Sequence, residues 1–363
     1  MSTYCAGVIG LGWMGLLSDL GRRPPDRFHV DDVDRPTPEL DVHREFHFHD
    51  GPGEVEVPHS WAEVMHQRPD VELVAGAERD PKRLKVFRER FGDVATYDRA
   101  EALLRNEQLD IVAIATNTKG RADLTCLAVE CGVRAIALEK PIAHTLEEVD
   151  RMVGACADAA VPLCCGAIPV NHPSYGGAKD LVLRGEIGHV QSIEAGAPSA
   201  QKQNWSYFVD DAPAWVVGSG DGPRRESGSD EFVGQGMMVT ADGTPVFFRK
   251  GAGLLRISGT AGEIILEGRW RLWKDVETVA GTQRVEIDWP GTHLAPGYNA
   301  VYGLADLIDC LEGRLEEPKN SGRRVSTAME VEIGLKRSSE KGGVRVDLPL
   351  SDRSLGLNYD WFR

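Results

Sequence analysis

Over the first 165 residues, short apolar runs alternate with amphipathic helical patterns. An unbroken apolar run is typical of a strand that is covered on both faces. One of the helices between the runs begins with the capping box Thr145-Leu-Glu-Glu148. Repeated units of strand and helix predict a parallel, doubly wound sheet. The predicted strands are 4–9, 71–77, 110–116, 134–138 and 161–167, with helices at 13–20 and 122–131 among those between them.

The pattern changes after about residue 165. A helix at 177–184 is followed by short runs with turn signals such as Asp242-Gly243 between them, which favours an antiparallel sheet. These runs lie near residues 188–195, 232–240, 245–250, 253–258 and 262–267. Two helices, about 297–313 and 324–339, and a short strand at 344–348 come last. We therefore predict an α/β chain whose C-terminal domain, 143–363, is α+β with a large, mostly antiparallel open sheet.

Residues 21–65 interrupt the N-terminal alternation. The segment is rich in proline, aspartate and histidine and has neither a helical nor a strand period. It holds five of the ten histidines, at positions 29, 43, 47, 49 and 59, and His66 follows it directly. Long insertions of this kind are usually functional or flexible, and we interpret this one as an oligomerisation arm or a lid. Histidines 43, 47 and 49 have a spacing that metal ligands can have, but no regular pattern fixes them, so no metal is predicted.

Composition and charge narrow the class of protein. The 363 residues carry a formal net charge of −15, and so acidic a surface repels phosphate backbones, which argues against nucleic acid as a partner. The sequence shows no apolar run of membrane-spanning length and no secretory signal at its start, so no membrane partner is predicted. The seven cysteines form no C-x-x-C pair, a usage typical of a cytoplasmic protein.

The strongest local signal is a glycine motif directly after the first strand and at the start of a helix. In such a motif the first glycine permits a tight turn, the second lets the backbone approach a pyrophosphate, and the third lets the helix pack on the strand. The motif consists of Gly10, Leu11, Gly12, Trp13, Met14 and Gly15. It predicts that residues 1–142 form a Rossmann-type, dinucleotide-binding domain.

The end of the second strand bears on which dinucleotide binds. Glu78 follows the apolar run 71–77, where an acidic residue bonds the adenosine ribose. A carboxylate there disfavours the 2′-phosphate of NADP, whereas Arg79 beside it favours that phosphate. We therefore predict NAD, with NADP left open.

A third signal, Glu139-Lys140-Pro141, ends the predicted strand 134–138 and makes a resemblance specific. With GVIGLGWMG, ELVAGAERDPKRLKVFRERFG, IVAIAT, GVRAIALEKPIAHTLEEVDRMV, YGLADLIDCLEGRLEEP and GVRVDLPL, the chain resembles the Gfo/Idh/MocA oxidoreductases, the glucose–fructose oxidoreductase and inositol dehydrogenase group. The resemblance spans nearly the whole chain except 21–65 and about 195–230. It implies that Lys140 lies beside the nicotinamide and bonds the substrate hydroxyl that becomes a carbonyl. A lysine desolvated at this sheet edge is suited to acid–base work.

The sequence departs from the family at its second motif, G-x-H-x-x-D, whose histidine and aspartate complete the catalytic set. Aligning DDAPAWVVG puts Asp211 at the aspartate and Phe208 at the histidine. His172, in a segment that matches the wall of the family's substrate pocket, is the candidate replacement, or else a loop histidine capped by the backbone. Trp205 and Tyr207 are either a stacking wall for a sugar or plain packing.

A further departure is ATNTKGRADLT, where the family shows ATP…H. Arg121 takes the place of the histidine and Asn117 that of the proline. Arg121 and Lys119 either clamp a pyrophosphate or a carboxylated substrate, or form an ordinary charged start of a helix. The predicted catalytic residues are Lys140, Asp211 and His172, and the predicted cofactor-binding residues are Gly10, Leu11, Gly12, Trp13, Met14, Gly15, Glu78, Arg79, Ala115, Thr116, Asn117, Arg121, Glu139 and Lys140.

Together these features predict an NAD(P)-dependent oxidoreductase that transfers hydride between nicotinamide and a hydroxyl or carbonyl of a sugar, polyol or sugar derivative, with Lys140 as acid and base. One alternative uses tightly bound NAD transiently: a hydroxyl is oxidised, a glycosidic oxygen is eliminated, and the ketone is reduced again. Another is a non-catalytic, dinucleotide-dependent sensor, which would have no need of Lys140. The resemblance also implies a homo-oligomer, a dimer or a tetramer.

Overall fold

The chain was analysed as a computed structural model. The structure describes residues 3–20, 58–199, 203–220, 231–249, 254–293 and 300–358. Within these ranges, none of the helices is both long enough and apolar enough to cross a bilayer. Most of the segment 21–65 lies outside the described residues, and the predictions for His29, His43, His47 and His49 lie there with it.

Six parallel strands form the first sheet, in the order β3-β2-β1-β4-β5-β6. Every residue of β4 and β5 is buried, because helices cover both faces of the sheet, as the unbroken apolar runs predicted. The strand order reverses between β1 and β4, and ligands of such sheets bind at this switch point, at the carboxyl ends of the strands. The strands are β1 (Tyr4–Ile9), β2 (Val71–Ala77), β3 (Ala95–Tyr97), β4 (Ile111–Ile114), β5 (Ala135–Leu138) and β6 (Leu163–Cys165).

The helices of this first layer begin where the sequence provides caps. The predicted capping box is present: Thr145 Oγ1 accepts the N–H of Glu148 at 3.3 Å, and the Glu148 carboxylate accepts the N–H of Thr145 at 3.3 Å. The first helix starts as a π-helical turn, Trp13–Leu17, and continues as α1 (Ser18–Leu20). The others are α2 (Trp61–Gln67), α3 (Pro81–Phe91), α4 (Ala100–Asn106), α5 (Arg121–Glu130) and α6 (Leu146–Asp158).

The connection from β1 to β2 is built from two separate pieces. Residues 13–20 leave β1, and α2 leads into β2 while packing against the π-helical turn. The Asp19 carboxylate accepts the N–H of His59 at 2.9 Å and the N–H of Ser60 at 2.6 Å, so the two pieces meet end to end. The prediction that 21–65 lacks regular structure is wrong for its last residues, which form the buried start of α2. This helix is only seven residues long, too short for its period to stand out.

The second sheet has nine strands, in the order β14-β13-β12-β11-β7-β10-β9-β8-β15. All neighbouring pairs are antiparallel except β7 and β10, which confirms the predicted open, mostly antiparallel sheet. The sequence pattern missed β8 and the β13–β14 hairpin; β14 is exposed along its whole length and has no buried side to alternate. The strands are β7 (Val190–Ala195), β8 (Pro213–Gly220), β9 (Gly234–Thr240), β10 (Pro245–Phe248), β11 (Leu255–Gly259), β12 (Gly262–Glu267), β13 (Arg269–Thr278), β14 (Gly281–Ile287) and β15 (Val346–Asp347).

Three helices join the two sheets, namely α7 (Pro173–Leu183), α8 (Ala300–Leu311) and α9 (Gly322–Glu340). Helix α9 lies directly on β8, because a side chain at Gly218 would collide with the backbone of Leu335. Helix α8 returns to the first sheet and packs against β5, β6 and α2. Since β6 pairs with β5, the first sheet extends beyond residue 142, the predicted end of the N-terminal domain.

Candidate functional site

The glycine turn at the end of β1 has the shape that a pyrophosphate requires. Gly10 has φ +88°, and a Cβ atom there would lie 2.8 Å from the carbonyl oxygen of Ala115. A side chain at Gly15 would collide with the carbonyl of Gly10. A Cβ atom at Gly12 would instead meet a single neighbouring atom within 4 Å, Nη1 of Arg83 at 3.7 Å. The backbone at Gly12 is therefore open to a ligand, and these residues fit a dinucleotide.

Glu78 connects the end of β2 to this turn. Its Oε2 accepts the N–H of Leu11 at 2.9 Å, and its Oε1 accepts the N–H groups of Arg79 at 2.8 Å and Asp80 at 3.2 Å. The carboxylate therefore lies at the expected edge of the dinucleotide site, while the Arg79 side chain is exposed. Trp13 and Met14 lie at intermediate depth in the π-helical turn.

Arg83 belongs to this edge, and the sequence analysis missed it. Its guanidinium lies 3.7 Å from Glu78 Oε2 and 3.7 Å from Asp80 Oδ2, and it is the group that faces Gly12. The available signal was a basic residue in the first turn of the helix that follows the acidic end of β2. Arg83 is well placed to meet the phosphates or the adenosine of a bound dinucleotide.

The Glu139-Lys140-Pro141 loop follows β5 at the same edge of the sheet. The buried Glu139 carboxylate accepts the Trp61 indole N–H at 2.9 Å with Oε1, and the N–H of Lys140 at 3.2 Å with Oε2. The stem of Lys140 packs beside Gly166, where a Cβ atom would lie 3.4 Å from the Lys140 Cβ. Lys140 itself is half-buried, and its backbone and the start of its side chain are held by the fold. Trp61 was missed because it lies in the segment interpreted as an insertion.

Arg121 lies beneath this loop rather than in the cofactor cleft. It is 1% exposed, and its guanidinium donates to three backbone carbonyls, those of Thr116, Glu139 and Pro141. Burial lowers its pKa to about 10, against the opposing effect of Glu139. The expectation that Arg121 clamps a pyrophosphate or a substrate carboxylate is therefore wrong: its donors face the protein backbone.

The end of β4 forms the floor between the glycine turn and the lysine loop. Ala115 and Thr116 are half-buried, and Thr116 Oγ1 donates to the carbonyl of Asn117 at 2.9 Å. Asn117 and Lys119 are exposed. These residues lie where the prediction placed the cofactor-binding edge of β4, at the switch point of the sheet.

His144 connects the loop after β4 and the loop that carries Lys140 to the segment around Leu357. Its Nε2 lies 2.5 Å from Thr118 Oγ1, in the loop after β4. Its backbone carbonyl accepts the N–H of Leu357 at 2.9 Å, and its backbone N–H donates to Glu148 at 3.0 Å. The segment around Leu357 therefore fastens the loop that carries Lys140, a contact that no local sequence pattern predicts.

His172 is buried and caps a helix. Its Nδ1 accepts the N–H of Ser174 at 3.1 Å at the start of α7, and its ring packs edge-on against Tyr302 with the ring centres 4.8 Å apart. With Nδ1 occupied as an acceptor, the neutral ring carries its proton on Nε2. Burial, and then the positive charge of Lys319, lower the pKa of His172. His172 was predicted either to replace the family's catalytic histidine or to be a loop histidine held by the backbone. The geometry favours the second interpretation.

The segment 203–211 replaces the region of the family's second motif with a short connection. Asp211 is exposed, and the neighbouring Asp210 forms a two-pronged ion pair with Lys179 at 2.7 and 2.8 Å. Phe208, at the aligned histidine position, is 6% exposed and packs near Tyr175. Trp205 is fully buried against Phe248, so it is packing and not a stacking wall.

A buried chain of neutral amides holds this segment to the first sheet. Ser206 Oγ donates to Gln203 Oε1 at 2.6 Å, and Gln203 Nε2 donates to Asn320 Oδ1 at 2.7 Å. The amide nitrogen of Asn320 donates to the carbonyl of Cys165 at the end of β6. The connection is thereby anchored at the same sheet edge that carries Lys140.

Fold and site together define a dinucleotide-binding α/β protein with a lysine at the carboxyl edge of its parallel sheet. Residues 51–166 match the GFO_IDH_MocA family, described as an oxidoreductase family with an NAD-binding Rossmann fold. Over these N-terminal residues the chain is similar to the Gfo/Idh/MocA oxidoreductases, in agreement with the family resemblance and the NAD cofactor class predicted from the sequence.

Named relatives are similar over part of their length. The D-apiose dehydrogenase of Paraburkholderia graminis is 40% identical over 105 residues, 29% of this chain and 27% of that protein. The D-xylose 1-dehydrogenase (NADP(+)) 2 of Haloferax volcanii is 31% identical over 127 residues, 35% of this chain and 38% of that protein. These matches therefore span well under half of each relative.

The fold is shared over nearly the whole chain. The crystal structure of an aldose–aldose oxidoreductase from Caulobacter crescentus, complexed with glycerol, superposes with a TM-score of 0.63 at 17% identity, covering 95% of this chain and 100% of that one. The predicted fold class, a parallel dinucleotide-binding sheet followed by a mostly antiparallel second sheet, is confirmed.

Proposed function

We propose that this chain is an NAD(P)-dependent oxidoreductase that acts on a hydroxyl or carbonyl group of a sugar, a polyol or a sugar derivative. One observation carries the proposal: Lys140 is held half-buried at the carboxyl edge of the first sheet, between the Glu139 carboxylate and Gly166, on the edge that also carries the glycine turn. An amine so placed can exchange a proton with a bound alcohol.

The residues assigned to the dinucleotide are those whose geometry fits it. The turn Gly10–Gly15 takes the pyrophosphate, Glu78 takes the adenosine ribose, and Arg83 lies against the same half of the cofactor. The Glu78 carboxylate favours NAD over NADP, although the Haloferax volcanii relative is named for NADP. When bound, NAD supplies the hydride acceptor for oxidation of the substrate carbon.

Lys140 carries the proton chemistry in this proposal. As the substrate hydroxyl becomes a carbonyl, Lys140 Nζ takes the hydroxyl proton, and in the reverse direction it returns that proton to the oxygen. His172 has Nδ1 committed to Ser174 and shapes the wall of the cleft through α7, while the exposed Asp211 is assigned to the rim. Much of the rate enhancement then comes from alignment of the reacting carbons by a rigid cleft.

The experiment starts from purified protein to which no nucleotide has been added. The protein is denatured and any released dinucleotide is identified by mass and absorbance; empty protein is titrated with NAD and with NADP. We expect reversible binding and formation of reduced nicotinamide with aldoses or polyols, with D-apiose, D-xylose and glycerol tried first because the similar proteins are named for or bound to them. If nothing is released and nothing titrates, the proposal is wrong.

The same experiment separates the glycoside-cleaving alternative. Stoichiometric NAD(H) that stays bound through purification, with glycoside cleavage but no accumulation of reduced nicotinamide, would replace net oxidation by transient redox. This alternative rests on the same Lys140 and on the Phe208 that stands where the aligned motif has a histidine.

We also propose that the chain assembles into a homo-oligomer through its second sheet. Phe247 is 39% exposed and Ile287 is 37% exposed, and both lie on strands of that sheet. Light scattering of the purified protein measures this directly, and a monomer at micromolar concentration would contradict it.

A further inference from the structure

We infer that Arg121 is a positioning residue for Lys140, acting through the backbone on both sides of it; this inference rests on the proposed function in so far as Lys140 is the catalytic amine. Nη1 of Arg121 donates to the carbonyl oxygen of Glu139 at 2.5 Å and also to that of Pro141. These are the residues directly before and after Lys140. One nitrogen therefore fixes the backbone on either side of the lysine.

The same guanidinium joins the lysine loop to the neighbouring strand. Nη2 of Arg121 donates to the carbonyl of Thr116, at the end of β4. Carbonyls from the loops after two parallel strands thus converge on one side chain, whose planar fork donates from two separate nitrogens. A lysine has its donors on a single nitrogen, and a neutral amide has only two N–H donors. This side chain therefore links the loop after β4 to the backbone on both sides of Lys140.

The helix dipole and the burial of the side chain both make this position unfavourable for an arginine. Arg121 is the first residue of α5, after Gly120 with φ +76°, so a positive charge lies at the positive end of the helix dipole. The side chain is also fully buried, and its Nε finds no hydrogen-bond partner. A buried cation with these disadvantages is retained where its remaining contacts matter, and here those contacts are to the backbone that flanks Lys140.

A negative charge next to Lys140 balances the cation. The Glu139 carboxylate is buried in the same cluster, bonded to Trp61 and to the N–H of Lys140. Arg121 therefore holds the backbone carbonyls and Glu139 holds the backbone amide, so the peptide unit of Lys140 is fixed from both ends. The lysine side chain leaves this frame beside Gly166.

The test compares Arg121→Lys, which keeps the charge and loses the fork, with Arg121→Gln, which loses both. Arg151→Gln is the control, since Arg151 on α6 pairs with Asp123 of α5 and is 52% exposed. We expect both Arg121 variants to lose about 100-fold in kcat, while KM and the dinucleotide Kd change by less than about threefold, because the displacement of a catalytic group costs rate more than binding. Equal losses in kcat and in dinucleotide affinity, or an unchanged kcat, would overturn the inference.

A second readout does not require a substrate. Lysines are dimethylated with ¹³C-formaldehyde, and the Lys140 resonance is assigned by its loss in Lys140→Arg. We expect Arg121→Gln to shift or broaden that resonance while Arg151→Gln leaves it in place, with circular dichroism confirming that both variants are folded. An unmoved Lys140 resonance in folded Arg121→Gln would refute the inference even if the proposed oxidation is right. A moved resonance in a protein that binds no dinucleotide would refute the proposed function alone.

Should Arg121→Gln not fold, Arg121→Lys carries the same NMR comparison, because it retains the buried positive charge. The resonance of the added lysine is recognised by its absence from the wild-type spectrum. Movement of the Lys140 signal in that variant supports the inference, and a stationary signal overturns it.

Discussion

Two buried polar clusters meet at the carboxyl edge of the first sheet, and they are made differently. The cluster beneath Lys140 uses charges, the Arg121 guanidinium and the Glu139 carboxylate, and leaves Nε of Arg121 unpaired. The cluster at β6 uses the neutral amides of Gln203 and Asn320, and each of them is bonded to a protein group.

The two clusters differ in how much free energy it costs to bury them. Neutral amides fasten the 203–208 connection at modest cost, since each partner is satisfied inside the protein. Buried ions are expensive and contribute little to stability compared with apolar packing. The charged groups of the first cluster bond the backbone on both sides of Lys140, whereas the amides of the second cluster bond the 203–208 connection to β6. We therefore expect substitutions in the first cluster to change the chemistry and substitutions in the second to change stability. Substitutions at Lys140 and at Asn320 test the two clusters directly, and substitutions at Glu78 and His172 test the residues around them.

The largest effect is expected at Lys140. Lys140→Ala should lower kcat by about 10³-fold, because the group that exchanges the substrate proton is lost. Dinucleotide affinity should persist, since the glycine turn and Glu78 are untouched. Steady-state kinetics with a fluorescence titration of NAD measures both quantities. The control is Lys85→Ala on the exposed face of α3, which should behave as wild type. Retained turnover in Lys140→Ala would mean that the first cluster does not support a catalytic lysine.

The next effect tests the neutral cluster. Asn320→Ala removes the side-chain partner of the Gln203 amide nitrogen and of the Cys165 carbonyl, and should lower the free energy of unfolding by about 2–3 kcal/mol. Urea denaturation measures this loss. Asn106→Ala, at an exposed asparagine that bonds its own helix, should cost far less. A large fall in kcat without loss of stability in Asn320→Ala would erase the distinction between the clusters.

A smaller effect is expected at the cofactor edge. Glu78→Gln removes the charge that disfavours a 2′-phosphate, and should weaken NAD binding about tenfold while strengthening NADP binding. Parallel titrations with the two dinucleotides give the ratio of their Kd values. Glu89→Gln, further along α3 and 46% exposed, should leave the ratio unchanged. If Glu78→Gln leaves the ratio unchanged as well, Glu78 serves only to hold the backbone N–H groups of Leu11, Arg79 and Asp80.

The smallest effect concerns the pH dependence at His172. Because burial and Lys319 lower its pKa, the unfolded chain takes up this proton at a higher pH than the folded chain does. The stability contribution is fully present above the ordinary value of 6.5 and is lost as pH falls from there toward the folded pKa.

His172→Asn keeps an acceptor for the Ser174 N–H and removes the titration. Its free energy of unfolding should therefore decline less steeply below pH 6.5 than that of the wild type, measured by urea denaturation across the pH range. The exposed His189, replaced in the same way, is the control for the loss of a surface imidazole. Identical slopes for wild type and His172→Asn would mean that the imidazole is not shielded from solvent.

Much of the first sheet could be predicted from the sequence because its signals are local. Unbroken apolar runs mark strands that are buried on both faces, a capping box marks the start of α6, and glycines at fixed spacing mark the turn after β1. The Glu139-Lys140-Pro141 loop was found for the same reason. Each of these features is decided by residues within one turn or one strand of each other.

The partners of the site residues could not be predicted, because they are decided by distance in space. Trp61 reaches Glu139 across 78 positions, and Leu357 reaches His144 across 213. Arg121 was correctly singled out, but its direction depends on how α5 leaves Gly120, and this turned the expected ligand contact into a backbone contact. Residue type and spacing identified which functional groups are available, but their contacts depend on the tertiary fold.

The contact made by Asp19 affects how the chain can tolerate insertions and deletions. By bonding the amides of His59 and Ser60, it brings two points of the chain that are 40 positions apart into direct contact. The entropy of closing such a loop grows only slowly with its length. The sequence between these two points can therefore change in length or composition during evolution while the strands and helices of the first sheet keep their positions. For the same reason, the Asp19 contact is a suitable place at which to insert a different segment by protein engineering.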